Sequence, residues 1–176
     1  MKAVVVIAAS AGGLAPLRRI IGALPANCMA SVFVVLHPGA FPSILPSLLS
    51  KSGKLPVAFP QDAASIEPGH IFVAPPDSHM ILQPNRICLD RGPKIHHTLP
   101  AADPLFDSAA KVYGEAAMGI VLSGGDGDGA AGLRTIKERG GIALVQDPRE
   151  AREPSMPRAA IAEDHPDACL GVEEIA

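Results

Sequence analysis

The sequence has no tryptophan and one tyrosine, and aromatic residues make up only 3% of its 176 positions. A surface that stacks bases or sugar rings needs more planar side chains than this. Charge of either sign is also scarce. Fifteen Lys and Arg stand against eighteen Asp and Glu, a net charge of −3, so no basic footprint for a nucleic-acid partner exists. The three cysteines, Cys28, Cys88 and Cys169, are an odd number without metal-ligand spacing. They exclude a disulfide framework and a cysteine-based zinc site, and they fit reduced thiols in a cytoplasmic protein. No apolar run approaches the roughly 20 residues a membrane span needs, and one lysine before a strand-like run does not make a signal peptide. Membrane insertion is therefore not expected. Internal repeats and linkers are missing as well, and the 18 prolines and 17 glycines are dispersed between apolar runs.

What is present is 48% apolar sequence in a length suited to one domain, 1–176. Strand-length runs rich in Val and Ile recur at 3–8, 32–36, 71–74, 119–122 and 142–145. They do not alternate with polar residues, as is usual for strands covered by helices on both faces. Segments 14–24, 43–52, 104–116 and 130–139 carry apolar residues at helical spacing. Asp103 before Pro104 fits a cap and a first-turn proline, and Gly140-Gly141 fits a helix stop. Between 72 and 89, Pro75-Pro76-Asp77 and Pro84-Asn85 separate short apolar pieces, which predicts an antiparallel hairpin. The expected fold class is α/β: a doubly wound, mainly parallel sheet flanked by helices, with an inserted antiparallel hairpin.

The first strand ends at Ala9-Ser10-Ala11-Gly12-Gly13 and an amphipathic helix follows. This delivers a hydroxyl to the carboxyl end of a buried strand, where open α/β sheets bind ligands. A serine becomes a nucleophile when a histidine takes its proton and a carboxylate holds the histidine. His37 follows the second strand directly, and Pro38-Gly39 ends that run. A further strand-turn-helix, Leu122 to Gly132, contains Asp126 and Asp128. Its glycines leave backbone N–H groups free to point into a site. Read from the residues alone, other uses stay open: phosphate at the helix N-terminus, a cation at Asp126-Gly127-Asp128-Gly129, or helix capping by the aspartates. His96-His97 reads as a pair of loop histidines, His70 and His79 as structural groups beside the hairpin, and Arg149 and Arg152 as a solvated loop.

Taken in order, these stretches resemble the catalytic domain of the chemotaxis protein-glutamate methylesterases, the CheB family. Residues 7–13 resemble the nucleophile turn, Leu36-His37-Pro38 with Phe41 the histidine segment, and Glu67 to Pro75 with His79 the central hairpin region. Pro100 to Ala110 resemble the loop entering the next helix, Leu122 to Gly132 the aspartate turn, and Met156 to Ala160 a late loop and helix. The resemblance implies Ser10 as nucleophile, His37 as general base and Asp128, rather than Asp126, as the orienting carboxylate. It implies Gly125 N–H as an oxyanion donor, and the usual nucleophile-turn geometry adds Ala11 N–H. It also implies a substrate: γ-glutamyl methyl esters of methylated chemoreceptor proteins, hydrolysed with release of methanol, with glutamine deamidation as a related reaction. No cofactor and no metal are implied. Two readings compete with this: a non-catalytic module binding a receptor or signalling protein, and an esterase for a small ester. Ala11 stands where better-known members have threonine, and Gly125-Asp126-Gly127 where Met-Gly-Asn is more usual. The family's N-terminal receiver domain has no room ahead of a strand that begins at residue 3, so none is expected in this chain.

Overall fold

The computed structural model describes residues 3–37, 44–163 and 165–176. Seven strands form one parallel sheet in the order β3-β4-β2-β1-β7-β8-β9. These are β1 (Val4–Ala9), β2 (Ser31–Leu36), β3 (Val57–Ala58), β4 (Ile71–Val73), β7 (Ala117–Val121), β8 (Ile142–Gln146) and β9 (Ala168–Leu170). The hairpin, β5 (His79–Gln83) and β6 (Arg86–Asp90), pairs only with itself and makes a separate two-stranded sheet. Asn85 takes the positive φ that closes its two-residue turn.

The helices are α1 (Leu14–Ala23), α2 (Leu45–Ser50), α3 (Ala102–Tyr113), α4 (Ala130–Glu138), α5 (Ser155–Glu163) and α6 (Val172–Ile175). The expected strands and helices are all present, with ends shifted by a few residues. The start of the 43–52 helix, the proline and glycine after His37, and Phe41 lie outside the described residues. The short β3, β9 and α6 carry too few residues for a periodic signal.

Two cores flank the sheet, and the period of two along β1 assigns its side chains to them. Val4, Val6 and Ala8 join Leu105, Phe106, Leu133 and Met156 on the face covered by α3, α4, α5 and the hairpin. Ile7 and Ala9 join Leu17, Ile21 and Leu49 on the face covered by α1 and α2. Both faces of the central strands are thus dry, which is why their sequence does not alternate.

One expectation is corrected. Asp103 does not cap α3. The helix begins at Ala102, with Ala101 at the cap position making no side-chain cap bond. The Asp103 carboxylate instead accepts from Gly132 N on α4 at 2.7 Å and from His96 Nε2 at 2.9 Å. Local sequence favoured a cap; packing of α3 against α4 placed a better donor within reach.

Candidate active site

Three adjacent strands, β2, β1 and β7, end side by side. The β1–β2 register runs through Ala9↔Leu36, and His37 N donates to Ala9 O at 3.1 Å, so Ser10 and His37 leave neighbouring strands at the same level. On the other side, Leu122 N donates to Ala8 O and Ser10 N to Ser123 O, both at 2.9 Å. The chain moves to one side of β1 through α1 and reaches the other through β7, so the crevice opens where the strand order reverses.

The histidine and the aspartate meet. His37 Nε2 donates to Asp128 Oδ2 at 2.7 Å, with the His37 side chain only 7% exposed and that of Asp128 fully buried. The same oxygen accepts from Ala102 N at 2.5 Å, and Oδ1 accepts from Asp103 N at 3.1 Å. Burial alone would push the Asp128 carboxyl up. The bond from His37 and the two backbone donors at the start of α3 outweigh that and hold it below the ordinary carboxylate range.

With Nε2 committed to Asp128, His37 Nδ1 is the ring nitrogen left over. It is buried and has no hydrogen-bond partner among the described residues. Asp126 Oδ2 lies 3.6 Å from it, too far for a hydrogen bond, while Asp126 Oδ1 accepts from Asp128 N at 3.0 Å. Among the described residues, Ser10 Oγ makes no hydrogen bond, so the serine–histidine link is not made while the histidine–aspartate link is. The N–H groups of Ala11 and Gly125 likewise have no acceptor there, whereas Gly124 N is taken by Glu153 O at 2.9 Å.

Two groups that sequence reasoning passed over hold the turns together. Ser123, fully buried, donates through Oγ to Ala11 O at 2.8 Å and accepts from Glu153 N at 2.9 Å. Its own N–H donates to buried Gln146 Oε1 at 2.9 Å. It therefore ties the serine turn to the loop before α5. The only local signal was its place directly after a strand, which equally suits a cap. Met156 completes this clamp: its N–H donates to Gly124 O, and a Cβ on Gly124 would fall 1.8 Å from its Sδ and 2.9 Å from Ser10 Cβ. Gly124 is required by that close approach.

The chain spanning this site matches the family model for CheB methylesterase over residues 5–176. The chain belongs to the CheB methylesterase family. A relative from Leptospira interrogans is 34% identical over 174 residues, covering 98% of this chain and 90% of its own length. The protein-glutamate methylesterase/protein-glutamine glutaminase of Pyrococcus abyssi is 37% identical over 176 residues, and the match spans 97% of this chain but 48% of that protein. The CheB methylesterase catalytic domain of Thermotoga maritima superposes with a TM-score of 0.93 at 32% identity, covering 99% of this chain and 95% of that one. The seven-stranded sheet, its helices and the separate hairpin are therefore the CheB catalytic-domain fold.

His79 is a structural group, as its place beside the hairpin suggested. His79 is buried, donates through Nε2 to Pro93 O at 2.9 Å and accepts Ala101 N at Nδ1, fixing the loop that leads to α3. His96 sits in a tight turn in which both it and His97 take positive φ, and it bonds Asp103. His96, Asp103 and Asp128 lie close together, but Asp128 is already filled by three donors and the Asp103 oxygens by Gly132 N and His96. Each of the four carboxylate oxygens thus already accepts at least one hydrogen bond from within the protein.

Asp103 titrates in the opposite sense to Asp128. Burial raises its pKa, the bond from Gly132 opposes this, and the nearby Asp128 charge adds to the rise. A raised native pKa means that the folded state holds its proton longer than the unfolded chain, so ionisation costs stability as pH climbs above about 4. Asp103→Asn keeps an acceptor for Gly132 N and removes that ionisation. Urea unfolding at pH steps from acid to neutral should show the variant gaining on the parent as pH rises. A gap that stays flat, or moves against the variant, would contradict this assignment.

Proposed function

We propose that this protein is a cytoplasmic serine hydrolase that removes methyl groups from γ-glutamyl methyl esters of methylated chemoreceptor proteins, releasing methanol. Ser10 is the nucleophile, His37 the general base and Asp128 the residue that orients it. The observation that carries this reading is the buried His37–Asp128 bond through Nε2. It leaves His37 Nδ1 without a partner among the described residues, beside the strand end that presents Ser10. A carboxylate at Nε2 fixes the tautomer with its proton there, so Nδ1 keeps the lone pair a base needs. Free-enzyme geometry in such sites is commonly loose and tightens on the substrate.

Ser10 Oγ attacks the ester carbonyl as Nδ1 takes its proton, and the oxyanion is met by Ala11 N–H and Gly125 N–H, which have no other acceptor among the described residues. The imidazolium gives the proton to the departing methoxide, leaving a glutamyl-Ser10 ester. Water gives a proton to the same nitrogen and attacks the acyl carbonyl; the bond to Ser10 Oγ then breaks, Ser10 takes that proton back, and the glutamate carboxylate is released. During both steps Nδ1 faces the Asp126 carboxylate, 3.6 Å away. An amide would follow the same path with ammonia leaving, which supports glutamine deamidation as a second reaction. The relatives' paired name, protein-glutamate methylesterase/protein-glutamine glutaminase, points the same way.

The test is methanol release from methylated receptor membranes, set beside turnover of a small activated ester. Release from the receptor at a rate well above background is expected. Turnover of the small ester with none from the receptor would replace this reading with a small-ester esterase.

A further inference from the structure

The loop between β8 and α5 carries five charged side chains, and four of them are already engaged. Asp147 accepts from the Arg149 guanidinium at 2.6–3.1 Å. Glu150 accepts from Val172 N at 3.1 Å, and Glu153 from Ser155 Oγ at 2.8 Å. Arg152 is exposed and has no hydrogen bond or ion pair among the described residues. Its stem, however, is fixed. A Cβ built on Gly12, two residues beyond Ser10, would lie 2.7 Å from Arg152 Cβ and 3.1 Å from its Cδ. The φ of +76° at Gly12 and this contact together leave room for glycine alone.

The aspartate turn has the other sign. Asp126 is about one-third exposed beside His37, and Glu153 Cγ lies 3.7 Å from where a Cβ on Gly125 would be. The charges thus divide between the two turns: a guanidinium with no partner among the described residues at the serine turn, and carboxylates at the aspartate turn. The ester itself is neutral and gives such a field nothing to act on, whereas a carboxylate elsewhere on the substrate is drawn to one turn and repelled from the other.

We propose that Arg152 is a specificity residue that recognises a carboxylate flanking the ester on the substrate protein and so sets which way the substrate segment lies across the crevice. This rests on the hydrolase reading above. On a helical substrate the neighbouring side chain on the same face is three or four residues away, about 5.4 Å along the axis.

The test uses two helical peptides carrying one glutamate γ-methyl ester, with Glu or Gln one turn away, and reads the ratio of their kcat/KM values. The parent should prefer the Glu peptide about three- to tenfold, as suits a charge-assisted contact at an exposed site. The preference should vanish in Arg152→Ala, invert in Arg152→Glu, persist in Arg152→Lys, weaken with added salt, and be unchanged in Arg139→Ala, which removes an equal charge beyond α4. A merely structural Arg152 would lower both peptides alike and leave the ratio intact; that result, or a parent ratio of one, overturns the proposal. Binding of the same peptides to Ser10→Ala, with and without Arg152→Ala, gives the ratio without turnover. If the parent cleaves neither peptide while the binding preference still depends on Arg152, the hydrolase reading fails and this one stands.

Discussion

On the proposed mechanism, Ser10→Ala is expected to abolish methyl-ester hydrolysis, with kcat falling by about 10⁴-fold or more, the scale seen when serine hydrolases lose their nucleophile. The loss should come without unfolding. Ser10 Oγ makes no hydrogen bond among the described residues, and the turn is held by backbone bonds from Ser10 N to Ser123 O and from Gly13 N to Ser10 O. Removing an oxygen with no partner leaves no buried donor or acceptor stranded, so stability should stay within about 0.5 kcal/mol of the parent. Methanol release and urea unfolding, measured on the same preparation, separate the two quantities. A folded variant that still releases methanol at near the parental rate would end the serine mechanism, whatever the family.

Asp128→Asn should be nearly as severe for activity and, unlike Ser10→Ala, should also cost stability. The carboxylate serves three donors with two oxygens: His37 Nε2 and Ala102 N on Oδ2, Asp103 N on Oδ1. An amide has one oxygen. Facing His37 and Ala102, it turns its NH₂ onto Asp103 N. Facing Asp103, it turns its NH₂ onto Ala102 N and His37 Nε2. The histidine is then driven to the tautomer with its proton on Nδ1, where it cannot take one from Ser10. Either way a buried donor is left opposed, a cost of about 1–3 kcal/mol. The activity loss should be on the order of 10³–10⁴-fold, the scale of carboxylate-to-amide changes at such sites.

The pH dependence should change with it. Because the native Asp128 pKa lies below the unfolded value, the parent has a stabilising contribution above about pH 4 that is lost as pH falls through the lowered native pKa. The variant should lack that acid-side decline, seen as a smaller slope of unfolding free energy against pH. Parental kcat/KM in a folded Asp128→Asn protein would remove Asp128 from the mechanism.

Much of the fold could be read along the chain because burial on both faces leaves a local mark. Val4 to Ala9 and Ser31 to Leu36 are almost uniformly apolar because each side of the sheet has its own core. The helix stop at Gly140 was legible for a similar reason: its positive φ of 81° is a demand made by the local backbone. Asp103 was misread as a cap because its actual donors, Gly132 N and His96, lie 29 and 7 residues away. Nothing within a turn of the sequence hints at them.

The candidate site divides along the same line. By itself the sequence determined that Ser10, His37 and Asp128 each follow an apolar run and stand at a turn, because strand ends and glycine turns are local properties. Resemblance, not spacing, singled out Asp128 over Asp126. Only the tertiary structure decided that β2, β1 and β7 are neighbours. The same holds for the Nε2 of His37 meeting Asp128, for Ser123 clamping the serine turn to the α5 loop, and for Arg152 lying over Gly12 with no partner among the described residues. Those are contacts between segments tens of residues apart, set by strand order and by the donors left free after packing, and no local pattern encodes either.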